Sequence, residues 1–143
     1  MKIIKLKELE HEVMLPISCD HWFKLWCARI EHEPGIWLVR HIPADIIGLN
    51  REARAAFGRT RDTMPWSAAS LHVLNHDLRL VEDAQSRSIK TGQIVECEFW
   101  ARASAPAHRV FRLRNVYIPD RCPICPTRCG VLLIGAAILA ESV

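Results

Sequence analysis

The chain has 143 residues, 50% of them apolar and 24% charged, the composition of one ordinary globular domain long enough to bury a core. Nineteen Lys and Arg against 16 Asp and Glu leave a net charge of +3. That is too little for a phosphate-binding surface, which needs a clustered basic stripe, so direct nucleic-acid binding is not expected. Six Cys follow a charged N-terminus with no secretory leader, which points to reduced thiols in a cytoplasm, or to a metal site, rather than to a disulfide framework.

Residues 1–19 read as an arm. Leu6, Leu9 and Val13 have the spacing of a short amphipathic helix that Pro16 ends. Residues 20–143 read as a single domain. Asp20 is the expected N-cap of a helix over His21–His32, with Trp22, Phe23, Trp26, Cys27 and Ile30 on its apolar face, stopped by Glu33-Pro34-Gly35. Ile36–Arg40 and Ile46–Leu49 read as two strands joined by the turn His41–Asp45. Asn50–Phe57 reads as a short helix closed by Gly58, with Asn50 as its cap. Arg59–Met64 is expected as loop, Pro65–Leu74 as one or two helical turns, and Asp77–Lys90 as a longer helix ended by Thr91-Gly92.

Three antiparallel strands follow. Glu96–Ala103 alternates, with Cys97, Phe99 and Ala101 on one face and Glu96, Glu98, Trp100 and Arg102 on the other. Val110–Ile118 alternates again, setting Phe111, Leu113 and Tyr117 against Arg112 and Arg114. Val131–Ala140 is almost wholly apolar, which places it mid-sheet with both faces covered; it is too short for a membrane span, which needs ~20 residues. Arg102, Arg109, Arg112 and Arg114 cluster, but Glu96 and Glu98 share their face, which reads as an ion-paired outer surface.

The order helix, two strands, several short helices, one longer helix, three strands resembles the PAS fold. Ile30-Glu31-His32-Glu33-Pro34-Gly35-Ile36-Trp37-Leu38-Val39 looks like the family's helix ending before Gly-Ile-x-Val. Ile46-Ile47-Gly48-Leu49-Asn50-Arg51-Glu52-Ala53, followed by Phe57-Gly58, is similar to its Asn-x-Ala…Phe-Gly segment. The run Leu74-Asn75-His76-Asp77 resembles the hinge before the long PAS helix, and Lys90-Thr91-Gly92-Gln93…Glu96 the way into the third strand. The likeness covers roughly Trp22–Glu141. Two stretches depart from it. The Cys-rich connection Pro119–Gly130 is not a general feature, and Gly58-Arg59-Thr60-Arg61 stands where the flavin-binding subgroup has Gly-x-Asn-Cys-Arg-Phe-Leu-Gln, so flavin is not expected.

The resemblance implies an α+β fold: a five-stranded antiparallel sheet in spatial order 2-1-5-4-3, with helices over one face and an N-terminal helix. It implies a sensory or protein-interaction module of signal transduction, cytoplasmic and homodimeric, acting on a signalling partner, as an independent small-molecule or haem sensor, or as a regulatory part of a larger transcription factor or histidine kinase. A ligand pocket would be lined by Trp37, Phe57, Leu71, Leu74, Phe99, Phe111, Leu113 and Tyr117, unless these simply fill the core. The dimer contact would use Trp22, Trp26 and Trp100, the last an unusual residue among charges on the outer sheet face.

Catalysis is not expected, since no nucleophile–base pair, phosphate-binding Gly loop or paired carboxylates carry a motif. The one distinctive cluster is Cys122-Pro123-Ile124-Cys125-Pro126-Thr127-Arg128-Cys129. It is open to three readings: a zinc or iron–sulfur site, a disulfide or redox switch, or no bound species. For zinc, Cys122, Cys125 and Cys129 lack a fourth ligand. In a sheet of that order His41 is the preferred candidate and Cys97 the second, while His108 lies ~25–30 Å away along a strand that rises ~3.3 Å per residue. A haem reading would use the Cys-Pro pairs with His72 or His76.

Overall fold

The structure, a computed structural model, describes residues 18–104, 109–123 and 130–142. The N-terminal arm 1–17 therefore lies outside the described residues. Ser18 opens α1 (Cys19–Ile30), its side chain accepting from the His21 backbone N at 3.0 Å. The cap thus falls two residues before Asp20, which pairs with Lys24 in the first turn instead. Strands β1 (Ile36–His41) and β2 (Ile46–Leu49) form a hairpin whose turn ends at Asp45, at φ 57. Asn50 caps α2 (Arg51–Phe57) and Gly58, at φ 70, terminates it.

Residues Thr63–Pro65, expected as the end of a loop and the start of helical turns, form a short strand β3 along β2. Three residues are too few for a readable alternation, and Pro65 is tolerated because the strand lies at the sheet edge. The helix α3 (Trp66–Ala69) and a 3₁₀ turn (Ser70–His72) lead to α4 (Asn75–Thr91). This helix starts two residues before Asp77, whose carboxylate accepts from the Trp100 backbone N at 2.7 Å rather than capping it. Strands β4 (Val95–Arg102), β5 (Val110–Arg121) and β6 (Gly130–Ser142) complete the sheet.

Among the described residues the sheet has six strands in order β3-β2-β1-β6-β5-β4, every neighbouring pair antiparallel. This is the expected 2-1-5-4-3 order with β3 added outside β2. The final strand lies in the middle, hydrogen-bonded to β1 on one side and β5 on the other. Only Val131–Ile134 is buried on both faces, however, and Ala137–Ala140 is exposed. Its apolar sequence therefore overstates its coverage. β1 stops opposite Ala136, and Leu139 is an extra residue at a bulge between the pairs Leu113–Ile138 and Arg112–Ala140.

Helices lie on both faces. On the inner face α2, α3 and α4 cover Leu38, Ile47, Phe99, Phe111, Leu113, Leu132 and Ile134. On the outer face α1 covers Val39, Val131 and Leu133 with Trp22, Phe23 and Ile30. One amide joins the two layers at the start of β1. Asn50, 1% exposed, accepts through Oδ1 from the backbone N of Trp37 and Ala53 and donates through Nδ2 to the carbonyls of Glu33 and Gly35. Beside it Arg54 of α2 grips Glu31 at the end of α1 through two parallel bonds of 3.0 and 2.8 Å, a geometry that holds the Glu31 carboxyl below its ordinary range.

Candidate functional site

A cavity of about 50 Å³ lies between the inner sheet face and the helical layer. Phe57, Phe99 and Leu113 line it together with Leu38, Ile134 and Val81. Its polar rim is His72, Gln85 and Asn115, and no lining side chain is an Asp, Glu, Lys or Arg. A water occupies ~30 Å³ in the liquid, so the space suits water or a very small guest. Drug-sized ligands need ~300–1,000 Å³, and a haem or flavin would have to open this core.

The eight expected pocket residues divide. Phe111 and Tyr117 are fully buried in the same layer but outside the cavity wall. Trp37 is a correction: it alternates with Ile36 and Leu38 and stands on the outer face beneath α1. The stretch Ile36–Val39 is apolar on every residue, so its phase is hidden when both faces are covered. Leu71 is a second correction, 63% exposed, because the 3₁₀ turn points its neighbour His72 inward. Leu74, the third, is half-buried ahead of α4 and does not reach the cavity.

Polar residues of the inner layer form a chain. Arg40 Nη1 donates to Gln85 Oε1 while its guanidinium lies 4.8 Å from the Trp66 ring. Gln85 also reaches the Tyr117 hydroxyl, and Asn115 Nδ2 donates to that oxygen at 3.2 Å. Burial raises the Tyr117 pKa well above its ordinary value, so the hydroxyl stays neutral. His72 is held by both ring nitrogens: Nδ1 is 2.8 Å from the Arg102 carbonyl and Nε2 accepts from Arg59 Nε at 3.0 Å. Burial, helped by the two guanidinium charges, lowers its pKa. With both nitrogens engaged it is not placed as a haem ligand, and His76 is on the surface.

A sequence reading that follows apolar residues misses Asn115 and Arg40, and places Gln85 only as inward or flanking on the long helix. The signal was nonetheless present for the first. Asn115 falls in the inward phase of Phe111, Leu113 and Tyr117, where a polar residue is out of place.

The outer face carries the remaining expected residues. Trp22, 4% exposed, is packed between α1 and the sheet, so its place at a dimer contact is withdrawn. Trp26 is half-buried and its Nε1 donates to Asp120 Oδ2 at 2.7 Å. With Trp37, Ile118 and Leu133 it borders a surface groove of about 240 Å³. Trp100 is half-buried under Arg112, 5.6 Å from its ring. The expected ion pairing holds in part: Arg112 and Arg114 lie 3.8 and 3.4 Å from the Glu98 carboxylate, whereas Arg109 pairs with Glu141 and Arg102 donates to the Leu71 carbonyl.

His41 and Cys122 occupy the outer layer at the same end of the sheet, where Ile42 N donates to the Gly130 carbonyl at 3.1 Å. His41 Nδ1 accepts from Ala44 N at 3.2 Å, and its Nε2 faces Asp20 at 3.8 Å. Cys97 belongs to the inner core, across the sheet from Cys122, so it cannot share a metal with it. Cys125, Cys129 and His108 lie outside the described residues, and among the described ones no three His, Cys, Asp or Glu converge on a metal-sized site. No described helix is long and apolar enough to cross a membrane.

The chain adopts a PAS fold. It superposes on the PAS domain of a protein from Colwellia psychrerythraea with a TM-score of 0.63, covering 82% of this chain and 96% of that one at 10% identity. A sensory box histidine kinase/response regulator from Burkholderia thailandensis matches at 0.61, over 82% and 84% of the two chains and 8% identity. The Drosophila melanogaster Cycle PAS-B domain with bound ethylene glycol matches at 0.59, over 73% and 99% and 7% identity. No family model matches the sequence, and none of the curated proteins does.

Proposed function

We propose that this chain is a PAS-type sensory module of signal transduction, which couples the state of its inner cavity to a protein contact on its outer sheet face. The observation that carries this reading is the cavity: a space of about 50 Å³ between the central strands and α2, α3 and α4, whose described lining carries no Asp, Glu, Lys or Arg. The module works by binding, not by chemical conversion. The similar Cycle PAS-B domain carries bound ethylene glycol, which supports a guest of small size.

The contact surface would be the uncovered part of the outer face. Ala137 and Ala140 of β6 are exposed there opposite Arg114 and Arg112 of β5, with half-buried Trp100 one strand further on, and the groove at Trp26 and Trp37 continues it towards α1. A second copy of the chain or a signalling partner in the cytoplasm would cover it. Native mass spectrometry tests both halves together. The expected result is a dimer, a co-purified small guest, or both. A bare monomer at high concentration, with no guest retained, overturns the reading.

A further inference from the structure

Asn115 is 7% exposed and its amide is half-satisfied. Nδ2 meets the Tyr117 hydroxyl at 3.2 Å, while Oδ1 meets no donor among the described residues. Its cross-strand neighbours explain why nothing closes over it: Cys97 stands opposite on β4 and Ala136 on β6, both small. The amide borders the cavity, where Val81, Leu113 and Ile134 supply apolar wall. A buried acceptor without a partner is disfavoured, and the disfavour ends when a donor arrives.

We infer that the cavity takes a small, largely apolar molecule bearing one hydroxyl, which hydrogen-bonds to Asn115. The chemistry of the wall selects this class. An ammonium or a carboxylate would enter a space whose lining holds no countercharge, and burying an unpaired ion is costly. A pure hydrocarbon would leave Asn115 unmet. A hydroxyl both donates and accepts, so it suits the amide in either orientation about its last bond. The space of about 50 Å³ exceeds the ~30 Å³ share of one water, so the guest is a small molecule rather than a drug-sized one.

This inference rests on the sensory reading above, and the experiment separates the two. Nitrogen-15 amide spectra of the full chain are titrated with 1-propanol and with 1-chloropropane, which is similar in size but cannot donate. The expected result is that both move the amide signals of cavity residues, with 1-propanol about tenfold tighter, the worth of one hydrogen bond. In Asn115→Leu the preference falls to within about twofold. Equal binding of the two probes by the wild type overturns the Asn115 assignment, as does a preference unchanged in Asn115→Leu, while the cavity remains a binding site. If neither probe moves those signals, the ligand-binding reading itself falls. Should Asn115→Leu fail to fold, Asn115→Ala serves, and the wild-type ratio decides by itself.

Discussion

Beneath α1 the outer layer packs Val39, Val131 and Leu133 against Trp22 and Phe23, and Cys27 Sγ sits where a Cβ on Gly48 would meet it at 2.5 Å. Across the same strands, the inner layer leaves about 50 Å³ unfilled and houses Arg40, His72, Gln85 and Asn115 among its apolar side chains. One sheet thus carries an outer layer that is tight where Gly48 meets Cys27 and open only at its surface groove, and an inner layer with buried room and polarity to spare. The contrast teaches where a guest belongs, since apolar burial alone does not distinguish the two faces.

The largest expected effect removes what both layers share. Asn50→Ala strips four hydrogen bonds from one buried amide and leaves two backbone donors and two carbonyls to find new partners. A loss of about 3 kcal/mol in urea denaturation is expected, and a loss under ~1 kcal/mol would show that Asn50 does not join them.

Next, Gly48→Ala should cost about 1–3 kcal/mol by overpacking against Cys27. Adding Cys27→Ala should recover most of that, in a double-mutant cycle read by thermal unfolding. The Cys27 thiol, pushed up to about 12 by burial, is uncharged in either background, so the cycle reports volume alone.

One added methylene sharpens the contrast further. Val39→Ile in the outer layer should destabilise by about 1–2 kcal/mol, whereas Val81→Ile, which faces the cavity, should be neutral or stabilising by up to ~1 kcal/mol. Equal costs in chemical denaturation would mean that the cavity is not slack.

The smallest effect is a dependence on pH confined to the inner layer. The His72 pKa is held below 6.5 chiefly by burial, so the unfolded chain takes up its proton first as the solution is acidified. The contribution of His72 is complete above pH 6.5 and is lost as the pH falls from 6.5 towards the depressed folded value. Urea midpoints measured from about pH 7.5 to about pH 5.5 should therefore fall less in His72→Gln than in the wild type. Parallel curves would remove His72 from this role.

Sequence pattern carried the two alternating strands β4 and β5 and the central place of the apolar last strand, features that depend on which side meets water, whereas the strand order came from the likeness to the PAS fold. It carried the capping by Asn50 and Gly58 because those positions are local chemistry. It lost Trp37 and the exposed end of β6 for a common reason: a strand apolar on every residue does not say which face is covered, or for how long. Of the cavity, Phe57, Phe99 and Leu113 were legible as inward aromatic and aliphatic positions. Leu71 was not, because a 3₁₀ turn has no long period from which to read its phase. Gln85 was legible as inward or flanking on the long helix, but its pairing with Arg40 was hidden because the two meet only through tertiary contact, one on α4 and the other on β1.

The bidentate grip of Arg54 on Glu31 has a mechanical consequence. Arg54 lies three residues before Phe57, which forms part of the cavity wall, and Glu31 closes α1 on the far side of the sheet. Under the sensing role proposed above, a guest that displaced Phe57 would tilt α2, and the guanidinium fork would carry that tilt to the helix that flanks the outer groove; by reciprocity, docking against α1 would alter how easily the core admits a guest.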